Sequence, residues 1–136
     1  DSGMHIMRDL KPTHDGTFTA LFENGIYEFD YDGRILWTGP LNGLKLLEST
    51  PVYHHEFTKL RNGHYMVAGN EVIENEVYGE YANQDTVNII VRNNKRYRKS
   101  TSGNLVEYDK AGKLIWSWRS SDIFPSNEIT GLTTEE

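Results

Sequence analysis

The sequence predicts an all-β fold made of two β-propeller blades. An internal repeat, a succession of short strand patterns separated by Gly turns, and an aromatic-rich composition together predict it. Residues 26–38 read I-Y-E-F-D-Y-D-G-R-I-L-W-T and residues 105–117 read L-V-E-Y-D-K-A-G-K-L-I-W-S. Glu28, Asp30, Gly33 and Trp37 recur as Glu107, Asp109, Gly112 and Trp116, and six further positions change only within a class. Repeated units that cannot bury their own faces must stack on one another.

The repeat extends upstream of the hairpin. His5-Ile6-Met7-Arg8-Asp9-Leu10 aligns with His55-Glu56-Phe57-Thr58-Lys59-Leu60. After a three-residue length difference, Asp15-Gly16-Thr17-Phe18 aligns with Asn62-Gly63-His64-Tyr65. A unit is therefore a short strand, an Asp/Asn-Gly turn, a second strand such as His64 to Ala68, and the Glu-aromatic-Asp hairpin. In each hairpin Gly33 or Gly112 supplies the positive φ that a tight turn demands. Residues 41–50 read as a linker, because Gly43, Pro40 and Pro51 oppose a helix. Residues 72–102 are an insertion that the first unit lacks, read as an extra or lengthened hairpin around the apolar run 86–91.

Each unit offers about four short strands, one propeller blade. Residues 1–49 form the first blade with its linker, 50–121 the second, and 122–136 an exit segment broken by Pro125, all in one propeller-type domain. Trp37 and Trp116 sit where a large ring packs between neighbouring blades. Known rings have about 4–8 blades, so two blades need more chain or more subunits. Three copies of two blades would close six with cyclic symmetry. The opening Asp1-Ser2-Gly3 is neither an initiator Met nor a signal peptide, which points to a mature fragment or a piece of a longer protein.

Composition narrows the function classes. Hydrophobic content of 37% and charged content of 25% in 136 residues allow a packed core. The net charge of −6 disfavours non-specific nucleic-acid binding. The absence of Cys excludes a disulfide framework, a thiolate nucleophile and a cysteine metal site. No apolar run approaches the roughly 20 residues that span a bilayer.

The stretch Tyr53-His54-His55-Glu56-Phe57-Thr58-Lys59-Leu60-Arg61-Asn62-Gly63-His64-Tyr65 resembles the arylsulfotransferase family. Blades of that family open on a His-His-Asp-like start and a Leu-x-Asn-Gly-Asn-like turn. They continue with an Ile-x-Glu-x-Asp-x-x-Gly-x-x-x-Trp-like hairpin, matched by Leu105, Glu107, Asp109, Gly112 and Trp116. Trp118, Asp122 and Ile123 fit the tail. Glu56 stands where an Asp is common, and His64 replaces the usual Asn. The resemblance implies a six-bladed ring with its active site in the central channel. It implies transfer of a sulfuryl group from an aryl sulfate to a phenolic acceptor through a sulfated histidine, in a periplasmic or secreted setting. Channel histidines and an arginine would hold the anion; His5 and Arg61 are the substrate-binding candidates.

His54 and His55 are the catalytic candidates, because a neutral imidazole is a good nucleophile and a second one can stabilise sulfuryl oxygens. Neighbouring strand residues face opposite ways, so only one of the pair points into a channel unless a bulge intervenes. The alignment with His5 favours His55. The plainer alternative is a structural histidine bonded to a neighbouring blade. His55-Glu56-Phe57-Thr58-Lys59 starts like a zinc-protease motif, but Lys59 replaces the second ligand. Asp30-Tyr31-Asp32-Gly33 lacks calcium-loop spacing. No metal or cofactor is expected. Lys95-Arg96-Tyr97-Arg98-Lys99 could attract a polyanion or an acidic partner, and reads more simply as a solvated hairpin arm. The pairs Glu28-Asp30 and Glu107-Asp109 fit turn chemistry better than acid–base catalysis, since one active site needs no second copy. The function class that competes with the enzyme is a non-catalytic propeller module that binds a ligand or protein through its channel or its basic insertion.

Overall fold

The computed structural model describes residues 6–22, 25–40, 53–76 and 89–124. Their elements are β1 (Met7–Pro12), β2 (Phe18–Phe22), β3 (Gly25–Phe29), β4 (Ile35–Thr38), β5 (Tyr53–Lys59), β6 (Tyr65–Glu76), β7 (Ile89–Arg92), β8 (Lys95–Tyr108), β9 (Leu114–Arg119) and the one-turn helix α1 (Ser120–Ile123). The first sheet has the order β1-β2-β3-β4; the second has β5-β6-β8, with both β7 and β9 paired to β8. All pairings are antiparallel. The linker at 41–50 and the exit residues 125–136 lie outside the described residues.

Among the described residues the second sheet has five strands, the four of a blade and one more where an extra or lengthened hairpin was expected. The extra strand comes from the 72–102 region. There β6 and β8 run on as a two-stranded ribbon, paired from Tyr65↔Tyr108 out to Glu76↔Tyr97. Strand β7 then folds onto β8. Its turn is Asn93-Asn94, at φ 50° and 61°, the left-handed region that Asn tolerates in tight hairpins. The strand expected at His64 to Ala68 is thus the first part of a longer one. Alternation carries through Gly69 to Glu71, a buried carboxylate that Arg119 Nε meets at 2.8 Å.

The two hairpins of the repeat are built alike. Asp30 Oδ1 accepts from the amides of Asp32 and Arg34, each at 2.9 Å. Asp109 Oδ1 accepts from those of Ala111 at 2.8 Å and Lys113 at 2.9 Å. Gly33 and Gly112 follow at φ 81° and 79°. The recurring Asp and Gly are therefore parts of the turn.

The first half of the repeat aligns without the expected gap. The amide of Thr13 donates to Thr17 O, and the amide of Leu60 to His64 O, so these two turns superpose. Leu10 pairs with Ala20 as Phe57 pairs with Val67. Leu10 thus takes the place of Phe57, and Arg8 that of His55. The shared identity of His5 and His55 had pulled the alignment out of register. Ladder geometry overrules it, because a register slip would turn every side chain to the opposite face.

The sheets pack along β5, which lies against β1, β2 and β3. Leu21, Ile26 and Trp37 from the first blade meet Tyr53, Phe57, Tyr65, Val67, Val106 and Tyr108 from the second. Trp37 stacks on Tyr65 with centroids 3.8 Å apart, and its Nε1 donates to Lys110 O at 3.1 Å. Beneath it, buried Glu28 accepts from Thr17 Oγ1 at 2.7 Å, Lys59 Nζ at 2.8 Å and Tyr65 Oη. Burial pushes the Glu28 carboxyl up, but the bonds from Lys59, Tyr65 and Thr17 outweigh it and hold the group below its ordinary value. On the second blade the corresponding Trp116 is 44% exposed, against 9% for Trp37, because no described blade covers that face.

Candidate functional site

Strand β5 enters its sheet through a bulge. Tyr53 pairs with Gly69 and Phe57 with Val67, so residues 54–56 stand outside the regular ladder. His55 sits at φ 63°. That conformation costs a non-glycine residue roughly 1 kcal/mol, and such outliers cluster at functional sites. The bulge cancels the alternation that would part the two histidines. Their rings meet edge to face with centroids 4.9 Å apart, and the two Nδ1 atoms lie 2.9 Å apart. His54 Nε2 lies 3.1 Å from Gly69 O and 2.8 Å from Asn70 Oδ1, both on β6. His54 is half-buried and His55 exposed.

The neighbouring blade secures this irregular backbone. The amide of Phe57 donates to Asp9 Oδ2 on β1 at 3.0 Å. Lys11 reaches Asp9 at 3.1 Å, Thr58 Oγ1 at 2.8 Å, and the carboxylate of Glu56. Burial lowers the affinity of Lys11 for its proton, but bonds to Glu56 and Asp9 dominate and hold it above the ordinary lysine value. Strand β1 has its own irregularity between Met7 and Asp9, at Arg8. The two edge strands that meet between the sheets thus both break their ladders at the same repeat position.

Not every sequence candidate joins this site. Arg61 lies exposed in the turn after β5, at the opposite end of the strand from the histidines. At about 3.3 Å per residue the separation is roughly 20 Å. His5 lies outside the described residues. His64 Nδ1 meets Glu107 Oε1 at 2.7 Å, in the place where Thr17 meets Glu28, so the repeated glutamates bond between strands. His55 and Lys59 lie on a strand, without the helical spacing that brings zinc-protease ligands together. Asn70 and the Gly69 carbonyl were not singled out from the sequence. Counting outward from the Asn62-Gly63 turn would have set Asn70 opposite His54.

One cation of the basic cluster, Lys95, and the neighbouring Arg92 face carboxylates of the same ribbon. Arg92 makes two bonds of 2.8 Å to Glu74, and Lys95 lies 3.6 Å from Glu76. Among the described residues, no group of three or more His, Cys, Asp or Glu could hold a metal ion. No helix among them is long and apolar enough to cross a membrane.

Two stacked antiparallel blades, the second carrying a histidine pair on its edge strand, define a repeat protein of the β-propeller class. The family model described as Arylsulfotransferase (ASST) matches residues 1–135, and the chain belongs to that family. No curated protein matches the chain.

Proposed function

We propose that the chain forms part of a sulfuryl-transfer site, taking the sulfuryl group of an aryl sulfate onto a histidine and passing it to a phenolic acceptor. The observation that carries this reading is the exposed His55 imidazole, held against His54 by a bulge on an edge strand of an arylsulfotransferase-family chain. His55 is the acceptor, and His54 supports it. The channel that would enclose them requires further blades, from a longer chain or from self-association; three two-blade chains would close a ring of six. Family membership is the support for a periplasmic or secreted setting.

The competing reading is a non-catalytic module that binds through its channel or its basic insertion, and part of the insertion's positive charge is met internally. The cations of Arg92 and Lys95 already face carboxylates on the same ribbon. Turnover of a chromogenic aryl sulfate tests the enzyme reading. His55→Ala should abolish it. Normal turnover in both His54→Ala and His55→Ala would end the proposal.

A further inference from the structure

The histidine pair is asymmetric, and the asymmetry assigns its protons. Gly69 O is a carbonyl and can only accept. At 3.1 Å from His54 Nε2 it requires a proton on that nitrogen. Asn70 Oδ1, at 2.8 Å, takes the same proton from a second side. In neutral His54 the lone pair is then on Nδ1. That lone pair faces His55 Nδ1 at 2.9 Å, so His55 Nδ1 carries the proton between them. Neutral His55 is left with its lone pair on Nε2, on an exposed ring. Each step follows from which atoms can donate, as in other sites where a second group fixes a histidine tautomer.

We propose that Gly69 O and Asn70 act through His54 as positioning groups that make His55 Nε2 the nucleophilic atom and receive the charge its reaction creates. This rests on the sulfuryl-transfer reading above. His55 Nε2 attacks the sulfur of the aryl sulfate. The N–S bond forms, the S–O bond to the aryl group breaks, and its electron pair leaves with the aryl oxygen, which takes a proton from water. The His55 ring becomes cationic and passes its Nδ1 proton to His54 Nδ1. His54 is then the imidazolium, with Nε2–H still bonded to Gly69 O and Asn70 Oδ1. In the second half the phenolic oxygen of the acceptor attacks sulfur, having lost its proton to water. The N–S pair returns to His55 Nε2, and His54 returns the Nδ1 proton. His54 thereby governs the lifetime of the intermediate: a neutral N-sulfo imidazole is a poor leaving group, and reprotonation at Nδ1 makes it a good one. The left-handed backbone at His55 serves the same end, because it brings Nδ1 of two adjacent strand residues together.

The test is a long-range ¹H–¹⁵N spectrum of the whole chain with labelled histidine and no substrate. The expected result is an unprotonated nitrogen at His55 Nε2 and at His54 Nδ1, with a ¹⁵N–¹⁵N coupling across the shared proton. In Asn70→Asp the pattern should persist, since the carboxylate also accepts. In His54→Phe the His55 proton should shift toward Nε2, and the coupling should vanish. A wild-type spectrum with the proton on His55 Nε2, or with no coupling between the rings, overturns the proposal without reference to any variant. The spectrum does not depend on turnover. A wrong tautomer alongside lost activity in His55→Ala would remove the relay and leave the transfer reading standing; the expected tautomer without turnover would leave the proton arrangement standing and remove the transfer reading, and the relay with it.

Discussion

Trp37 and Tyr65 stack with centroids 3.8 Å apart and planes 12° apart, across the boundary between two blades. Trp37 belongs to the strand that leaves the first repeated hairpin, and Tyr65 to the second strand of the next blade. The recurring Trp is thus a tenon between blades. Stacking, burial and one hydrogen bond to Lys110 O act together there. Trp37→Ala should destabilise the chain by about 3–5 kcal/mol. Trp116→Ala, at the same place in the repeat but exposed, should cost less than about 1 kcal/mol in the isolated chain. Urea unfolding of both variants checks this; equal losses would mean that Trp116 is already covered in solution.

Glu28 gives the blade boundary a pH dependence. Its folded value is depressed by Lys59, Tyr65 and Thr17 against the opposing effect of burial. The unfolded chain therefore binds the proton more tightly, and stability rises with pH in this range. The contribution is complete above the ordinary glutamate value, near 4.5, and is lost as the pH falls through the folded value. Glu28→Gln should cost about 2 kcal/mol at neutral pH, and the gap to wild type should close in acid. Melting curves across pH 3–7, a range of about four units around that value, read it directly; a constant gap would refute the assignment.

At His55 stability and chemistry should part. A left-handed φ of 63° suits glycine and strains other residues. His55→Gly should therefore be more stable than His55→Ala by up to about 1 kcal/mol, although neither retains an imidazole. Chemical denaturation of the two variants side by side provides the measurement. A less stable glycine variant would show that the bulge is not held in this conformation.

The ribbon of β6 and β8 should be insensitive to loss of one surface ion pair. Arg92 and Glu74 are bonded at two points but lie at the surface, with Arg92 56% exposed. Arg92→Ala should change stability by no more than about 1 kcal/mol, with the difference shrinking in high salt. Glu71→Ala should cost more, because Glu71 is buried and its loss removes the acceptor that Arg119 and Ser121 share. Unfolding of the two variants at low and high salt distinguishes the roles.

What was legible in the sequence was what recurs. Asp30, Gly33 and Trp37 announce a hairpin because their counterparts return at equal spacing: the Asp and Gly build the same turn in both copies, and the Trp pairs with the repeated Glu in both, although among the described residues only Trp37 is covered by a second blade. The alignment of the first strands was less secure. His5 and His55 match by identity, but pairing puts Arg8 in the place of His55. A strand of mixed polarity carries little register information until its partner is known. The bulge was invisible for a different reason: a histidine at positive φ has no sequence signature, unlike a glycine. Without the bulge the two imidazoles diverge, and Asn70 has no evident role. The fifth strand was only half legible, because Asn93-Asn94 marks a turn without saying which strand it returns to.

The most direct test of the account is to expose the chain to an excess of aryl sulfate, quench, and map any added sulfuryl group by peptide mass spectrometry. The account predicts one SO₃ group on the peptide that holds residues 53–59, located at His55 and absent from His55→Ala. Sulfuryl transfer that proceeds equally well in His55→Ala, or a label fixed on another residue, would contradict it.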